Sequence, residues 1–266
     1  MLALADRLAR SLSERHANRQ TFTSIFDDIL PEGGEPGVGL AYEVQDRYVA
    51  GLCALGAKPA GYKIGLTTKR MQQMCGVDEP ISGIVLNTRI LRSPANVRMT
   101  DYVRLGIESE MAVRIAPGVS ERRGRLEALP LAELIDQVCA GFELVEDSGA
   151  DYKRLSAASI IADNSWNAGL VFGPPSSIAD FTNLRGRRGV LRRNGEEVNE
   201  GSSDEVLGDP ITAVVWLAKH LERRGGELAP GQWVSTGAIV PTRFVGLGDN
   251  YQFEIDGLEP VDLRIS

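Results

Sequence analysis

The alternation of apolar and polar residues is sharpest over residues 105–115, Leu-Gly-Ile-Glu-Ser-Glu-Met-Ala-Val-Arg-Ile, where a period of two predicts a strand. Leu105, Ile107, Met111, Val113 and Ile115 fall on one face, while Glu108 and Glu110 share the other. Same-face neighbours two apart on a strand stand roughly 7 Å apart, given a rise of about 3.3 Å per residue, close enough to hold one cation between them. Periodicity alone equally describes an ordinary half-buried strand with a solvated outer face, and that is the simpler reading of the pattern.

Helical spacing governs the start of the chain. Leu2, Ala5, Leu8, Ala9 and Leu12 predict a helix over 2–16, and Leu40, Val44, Ala50, Leu52 and Leu55 a second over 40–55. The stretch 27–37 between them is rich in Gly and Pro and reads as a loop; no Lys-Ser/Thr follows, so it is not a phosphate cradle. Residues 1–59 thus form a small helical N-terminal segment ahead of a main domain, 60–266.

The main domain opens on a strand over 60–67, in which Tyr62, Ile64 and Leu66 alternate with Lys63, Gly65 and Thr67. Lys63 therefore faces the same way as Gly65, and a glycine inside a strand marks close approach by a ligand or backbone, or a bulge. Thr68 is the expected N-cap of a short helix with Met71 and Met74 on its apolar side, and Asp78 falls in the turn that follows. Leu131, Leu134, Ile135 and Val138 predict a helix over 129–140, ended by Gly141. In the next strand, 142–146, Glu143 sits among apolar residues, where a charge is costly unless it is paired or metal-bound; a strand-end glutamate reaching water or an arginine is the alternative.

A helix is expected over 155–162, broken by the polar run 163–169, with a buried strand at 170–173. Asn194-Gly195 signals a hairpin turn. Asp209-Pro210 opens a helix carrying Ile211, Val214, Val215, Ala218 and Leu221, with His220 in its last turns, where a cation suits the helix dipole and the residue reads as structural. Strands over 233–236, 252–255 and 261–265 close the chain, so the fold class is mixed α+β with a largely antiparallel sheet.

Composition narrows the function classes. Hydrophobic residues at 43% and charged residues at 24% of 266 are those of a globular protein. A formal charge of −7 without a basic patch argues against nucleic acid, and no apolar stretch approaches a membrane span. Cys53, Cys75 and Cys139 have neither zinc spacing nor an even count, which fits a reducing cytoplasm.

Several segments together carry a resemblance: Gly61-Tyr62-Lys63-Ile64-Gly65-Leu66-Thr67, the run from Met71 through Gly76-Val77-Asp78-Glu79-Pro80, Ile107-Glu108-Ser109-Glu110, Phe142-Glu143-Leu144-Val145, Ile161-Ala162-Asp163-Asn164 and Leu207-Gly208-Asp209-Pro210. In this order they resemble the fumarylacetoacetate hydrolase superfamily, and within it the 2-keto-4-pentenoate hydratase and 4-oxalocrotonate decarboxylase branch. The resemblance implies a β-rich roll with peripheral helices and a Mg2+ or Mn2+ ion held by Glu108, Glu110 and Glu143. An all-oxygen set suits such a hard cation. It also implies catalytic roles for Lys63 and Asp78; substrate contacts are expected from Lys63, Gly65, Asn164, Trp166 and Thr236, with a structural turn an equal reading for Thr236.

The implied chemistry is chelation of a 2-oxo or 2-hydroxy-dienoate acid through its C1 carboxylate and C2 oxygen, which stabilises an enolate. In a hydratase the dienol ketonises by gaining a proton at C5, and water adds at C4, with Lys63 binding the anion and Asp78 moving protons or positioning water. Carbon–carbon hydrolases of the superfamily use a histidine and glutamate pair; His16 and His220 both fall in helices away from the motifs, which disfavours that route. Decarboxylation of an unsaturated 2-oxo-diacid shares the cation and the enolate and is the alternative.

Three departures from the family pattern stand out. Ser165-Trp166-Asn167 replaces the usual Ala-Ser-Ser, Gln232 replaces an aspartate, and 146–150 lacks a common arginine. The changes at Trp166 and Gln232 motivate a further alternative, a non-catalytic member that binds another enzyme of the same pathway. The resemblance also implies a homo-oligomer.

Overall fold

The computed structural model describes residues 2–27, 29, 37–119 and 126–266. Most of the expected loop 27–37 lies outside these residues. In chain order the helices are α1 (Leu2–Ala17), α2 (Val38–Ala54), α3 (Lys69–Met74), α4 (Leu131–Leu134), α5 (Ala157–Ala162) and α6 (Pro210–Arg223). The strands are β1 (Pro59–Gly65), β2 (Ile81–Leu86), β3 (Ile90–Arg92), β4 (Ala95–Val97), β5 (Leu105–Ile115), β6 (Ile135–Glu146), β7 (Asn167–Phe172), β8 (Ser176–Ser177), β9 (Arg188–Arg193), β10 (Glu196–Ser202), β11 (Trp233–Phe244), β12 (Asn250–Ile255) and β13 (Val261–Ile265).

Two sheets result. The larger runs β2-β1-β11-β5-β6-β7-β3, with β8 pairing on β6, and the smaller runs β10-β9-β12-β13-β4. Most pairs are antiparallel; β1 with β11, β3 with β7 and β4 with β13 are parallel. β2 also contacts β7, so the larger sheet curls on itself into a roll. Inside the curl a small cluster of Val85, Ala112, Cys139, Leu170, Phe172 and Trp233 is buried. The main core fills the space between the sheets and α6.

Local signals are realised where they are local. Thr68 Oγ1 accepts from Met71 N, Asp209 caps α6 ahead of Pro210, and Asn194 and Gly195 turn the β9–β10 hairpin with positive φ of 53° and 86°. On α3, however, Met74 is exposed and Gln72 is the buried residue, its amide donating to Leu66 O.

Two larger expectations are overturned. The helix over 129–140 is reduced to the single turn of α4; residues from Ile135 onward belong to β6, which pairs with β5 from Ile135↔Ile115 through Glu146↔Leu105. Long-range pairing of Ile135, Val138 and Cys139 outweighs a helical spacing that apolar runs of this length do not settle. The outer face of β5 is not solvated: Glu110 is fully buried and Glu108 half-buried, because the curl of the sheet covers that face.

The N-terminal helices bury Ala5, Leu8, Leu12, Val44 and Val49 in one cluster with Ile81, Leu86, Val145, Ile161 and Trp166. They pack on the outside of β2 and on α5. Tyr42 Oη accepts from Ser82 N, and Gln45 Nε2 donates to the carbonyls of Ser82 and Ile161. Among the described residues no helix is long and apolar enough to cross a membrane.

Candidate metal centre

Strand register brings the acidic residues together. Glu108 on β5 lies directly opposite Glu143 on β6, and Glu110 follows on the same face of β5. One carboxylate oxygen from each lies within 4.8 Å of the others. Five consecutive strands of the larger sheet, β1-β11-β5-β6-β7, each contribute to the site. Lys63 comes from β1, Ser235 and Gly237 from β11, the two glutamates from β5, Glu143 from β6 and Asn167 from β7.

Hydrogen bonds hold each carboxylate. Ser235 Oγ at 2.5 Å and Gly237 N at 2.9 Å donate to Glu110 Oε2, Thr242 Oγ1 donates to Glu108 Oε1 at 2.5 Å, and Asn167 Nδ2 donates to Glu143 Oε1 at 3.0 Å. Lys63 is 4% exposed, and its Nζ lies 3.2 Å from Glu143 Oε2. A Cβ on Gly65 would stand 3.2 Å from that ammonium, so the glycine keeps space beside it. Glu143 is fully buried and paired, which excludes the alternative of a strand-end glutamate in water.

The electrostatics are those of anions crowded out of water. Burial above all, then Glu143 and Glu108, push the Glu110 carboxyl well above the ordinary range, against Lys63 and the Ser235 hydroxyl. Burial raises Glu143 to about 7, with Lys63 pulling down and Glu108 pushing up. For Lys63 burial is the largest influence and favours the neutral amine, but Glu143, Glu108 and Glu110 outweigh it and raise its pKa. One lysine leaves the ionised set two charges short of neutrality. Glu110 Oε1 is buried with no hydrogen-bond partner among the described residues. A hard divalent cation matches both the missing charge and the orphaned oxygen.

The remaining expected site residues are placed differently. Asp78 is exposed in the turn after α3, where its carbonyl accepts from Lys69 Nζ. Asn164 spends its amide on the backbone of Ile84, donating to the carbonyl and accepting from N–H, both at 2.8 Å. Trp166 is buried, edge-on to Phe22 and Tyr152, and lines a cavity of about 150 Å³ with His16, Tyr48, Arg89 and Glu146. Thr236 is fully buried and donates to Met111 O, so its hydroxyl is committed to the backbone.

Ser235, Gly237, Thr242 and Asn167 are the contacts that sequence reasoning missed. The available signal for Ser235 was the polar pair Ser235-Thr236 interrupting the apolar residues of that strand. Strand alternation sets Ser235 and Gly237, two residues apart, toward Glu110, and Thr236 to the other face.

His16 departs from expectation, and His220 is structural as expected but not charged. His16 is not remote from the motifs: its Nε2 lies 2.6 Å from Asp163 Oδ1. His220 is not a helix-end cation. Burial first, then Arg224 and Arg223, lower its pKa to about 4, and it stacks on Trp216 as neutral imidazole.

A curled β-roll gathers three carboxylates and a lysine on neighbouring strands, a candidate all-oxygen cation site. A family model described as Fumarylacetoacetate (FAA) hydrolase C-terminal matches residues 66–266, and the chain belongs to this family. It is 29% identical to a 2-keto-4-pentenoate hydratase of Paraburkholderia phymatum, covering 98% of this chain and 97% of that one. A 4-oxalocrotonate decarboxylase of Pseudomonas putida is 28% identical over 79% of this chain and 78% of its own length. The solved structure of a Pseudomonas putida 4-oxalocrotonate decarboxylase complexed with magnesium and adipate superposes with a TM-score of 0.88 at 26% identity, covering 100% of this chain and 98% of that one.

Proposed function

We propose that this chain is a divalent-cation-dependent hydratase that adds water to a 2-hydroxy-2,4-dienoate, giving a 4-hydroxy-2-oxo acid. The observation that carries the reading is the buried carboxylate set beside Lys63, with Glu110 Oε1 unpartnered. Glu108, Glu110 and Glu143 would hold Mg2+ or Mn2+. When bound, the cation supplies charge stabilisation to a substrate oxygen that becomes negative.

The chain's own residues account for the rest. Ser235, Gly237, Thr242 and Asn167 fix the carboxylates, so little reorganisation accompanies binding. The Lys63 ammonium, held charged by its three neighbours, binds the substrate carboxylate or C2 oxygen and favours the enolate. Gly65 leaves room for that contact. Asp78, exposed on its turn, is assigned proton transfer or the positioning of water. Trp166 would shape the pocket and so the length of acid accepted.

Decarboxylation of an unsaturated 2-oxo-diacid is the second reading, favoured by the likeness to the decarboxylase structure over the full chain. Ultraviolet assays of the pure protein against a dienoate panel and oxalocrotonate, with and without Mg2+ or Mn2+, separate the two. Loss of dienoate absorbance without carbon dioxide supports the hydratase, and carbon dioxide from oxalocrotonate the decarboxylase. Full activity in a chelator refutes both, and inactivity of the pure chain on every substrate favours a non-catalytic partner of a pathway enzyme. We place the protein in the cytoplasm, where free thiols at Cys53, Cys75 and Cys139 persist, and expect copies to self-associate.

A further inference from the structure

We propose that His16 is a positioning residue that acts through Asp163 on the turn delivering Asn167 to Glu143. The inference rests on reading the carboxylates as a cation site.

Asp163 ends α5, and Asn164, Ser165 and Trp166 follow with φ of 46°, 53° and 59°. Three consecutive non-glycine residues in the left-handed region cost about 1 kcal/mol or more each, so surrounding contacts must hold them. Asn164 is clamped to Ile84, Ser165 Oγ donates to Ser82 O at 2.8 Å, and Trp166 N donates to Asp163 O at 2.8 Å. The turn presses on the strand beside Lys63: a Cβ at Gly83, the register partner of Lys63, would meet Asn164 O at 2.6 Å. It ends at Asn167, whose amide holds Glu143 Oε1.

His16 anchors the start of this turn. Its Nε2 lies 2.6 Å from Asp163 Oδ1, the Asp163 side chain is 8% exposed, and the ring stacks on Tyr48 with centroids 5.5 Å apart. Loss of the imidazole strips a nearly buried carboxylate of this partner, and relief comes most readily by displacing the strained residues next in sequence. His16 lies on α1, outside the stretch that the family model matches, so the N-terminal helix contributes to a centre it does not touch.

The test is a Mn2+ titration of the full chain by calorimetry, with thermal melts, for wild type, His16→Ala, His16→Gln, Asn167→Ala and the His16→Ala/Asn167→Ala double variant. Loss of the outer hydrogen bond in Asn167→Ala weakens Mn2+ binding by about tenfold or more. His16→Ala weakens it by roughly three- to tenfold, whereas His16→Gln, which keeps a donor toward Asp163, stays within about twofold of wild type. The double variant binds like Asn167→Ala alone, because both changes act along one route. His16→Phe keeps a ring on Tyr48 and makes the same comparison if the alanine variant does not fold. Wild-type affinity in His16→Ala or His16→Phe, or losses that multiply in the double variant, overturns the inference while leaving the cation site intact. A wild-type chain that takes up no Mn2+ removes the cation reading and this inference with it.

Discussion

Lys63→Met separates two roles that one buried ammonium plays. Lys63 partly neutralises three carboxylates and, in the proposed chemistry, also binds substrate. Its Nζ is 3.2 Å from Glu143 Oε2 and almost wholly shielded from water. Removing one partner of a buried pair costs about 3–5 kcal/mol. Without Lys63, which pulls the Glu143 pKa down to about 7, that pKa moves higher, and protonation at about pH 8 relieves part of the cost, so the lower end of the range applies. The variant should therefore unfold in urea with about 3 kcal/mol less stability than wild type when a chelator is present. A divalent cation meets a more negative site in the variant, so Mn2+ should bind at least tenfold tighter, about 1.4 kcal/mol. The Mn2+-induced stabilisation, read from the same urea curves by tryptophan fluorescence, should then be larger in the variant than in wild type. Turnover should nevertheless be lost. If Mn2+ stabilises Lys63→Met no more than wild type, Lys63 does not share the electrostatic field of the cation site and the assignment fails.

Two further outcomes follow from the same geometry. The Glu143 carboxyl has a folded pKa of about 7 against an ordinary 4.5, so its stabilising contribution is full below about 4.5 and is lost as pH rises through about 7. Glu143 alone should take about 3 kcal/mol from the cation-free chain across that window in chelator, with Glu110 adding to the decline, and Mn2+ should abolish it; stability that rises with pH there would contradict the burial argument. Gly237→Ala places a Cβ 2.5 Å from Thr67 Cγ2 at a φ of 126°, disturbing the N–H that holds Glu110 Oε2. Melting and Mn2+ titration should show about 2 kcal/mol lost stability together with weaker binding, whereas lost stability with unchanged affinity would make Gly237 purely architectural.

What the sequence made legible was what neighbouring residues decide. The α6 start at Asp209-Pro210, the Asn194-Gly195 hairpin and the alternation of β5 all depend on contacts within a few positions. β6 was half misread because Leu131, Leu134, Ile135 and Val138 fit a helix locally, while the eleven residue pairs to β5 that make residues 135–146 a strand are non-local. The carboxylates were visible as types, and Glu143 as a charge in an apolar run. Their burial was not, since it depends on β2 reaching β7 to close the curl.

The same closure explains why the centre and the fold depend on one another. Because five neighbouring strands contribute, a one-residue slip of β5 against β6 would turn Glu108 and Glu110 to the opposite face and carry Met111 and Val113 into the polar one. The register that buries the core is thus the register that crowds three anions beside a single lysine. Such crowding opposes folding unless protons or a cation relieve it. With a cation bound, that opposition becomes binding energy available to the folded state alone, because the unfolded chain does not bring Glu108, Glu110 and Glu143 together.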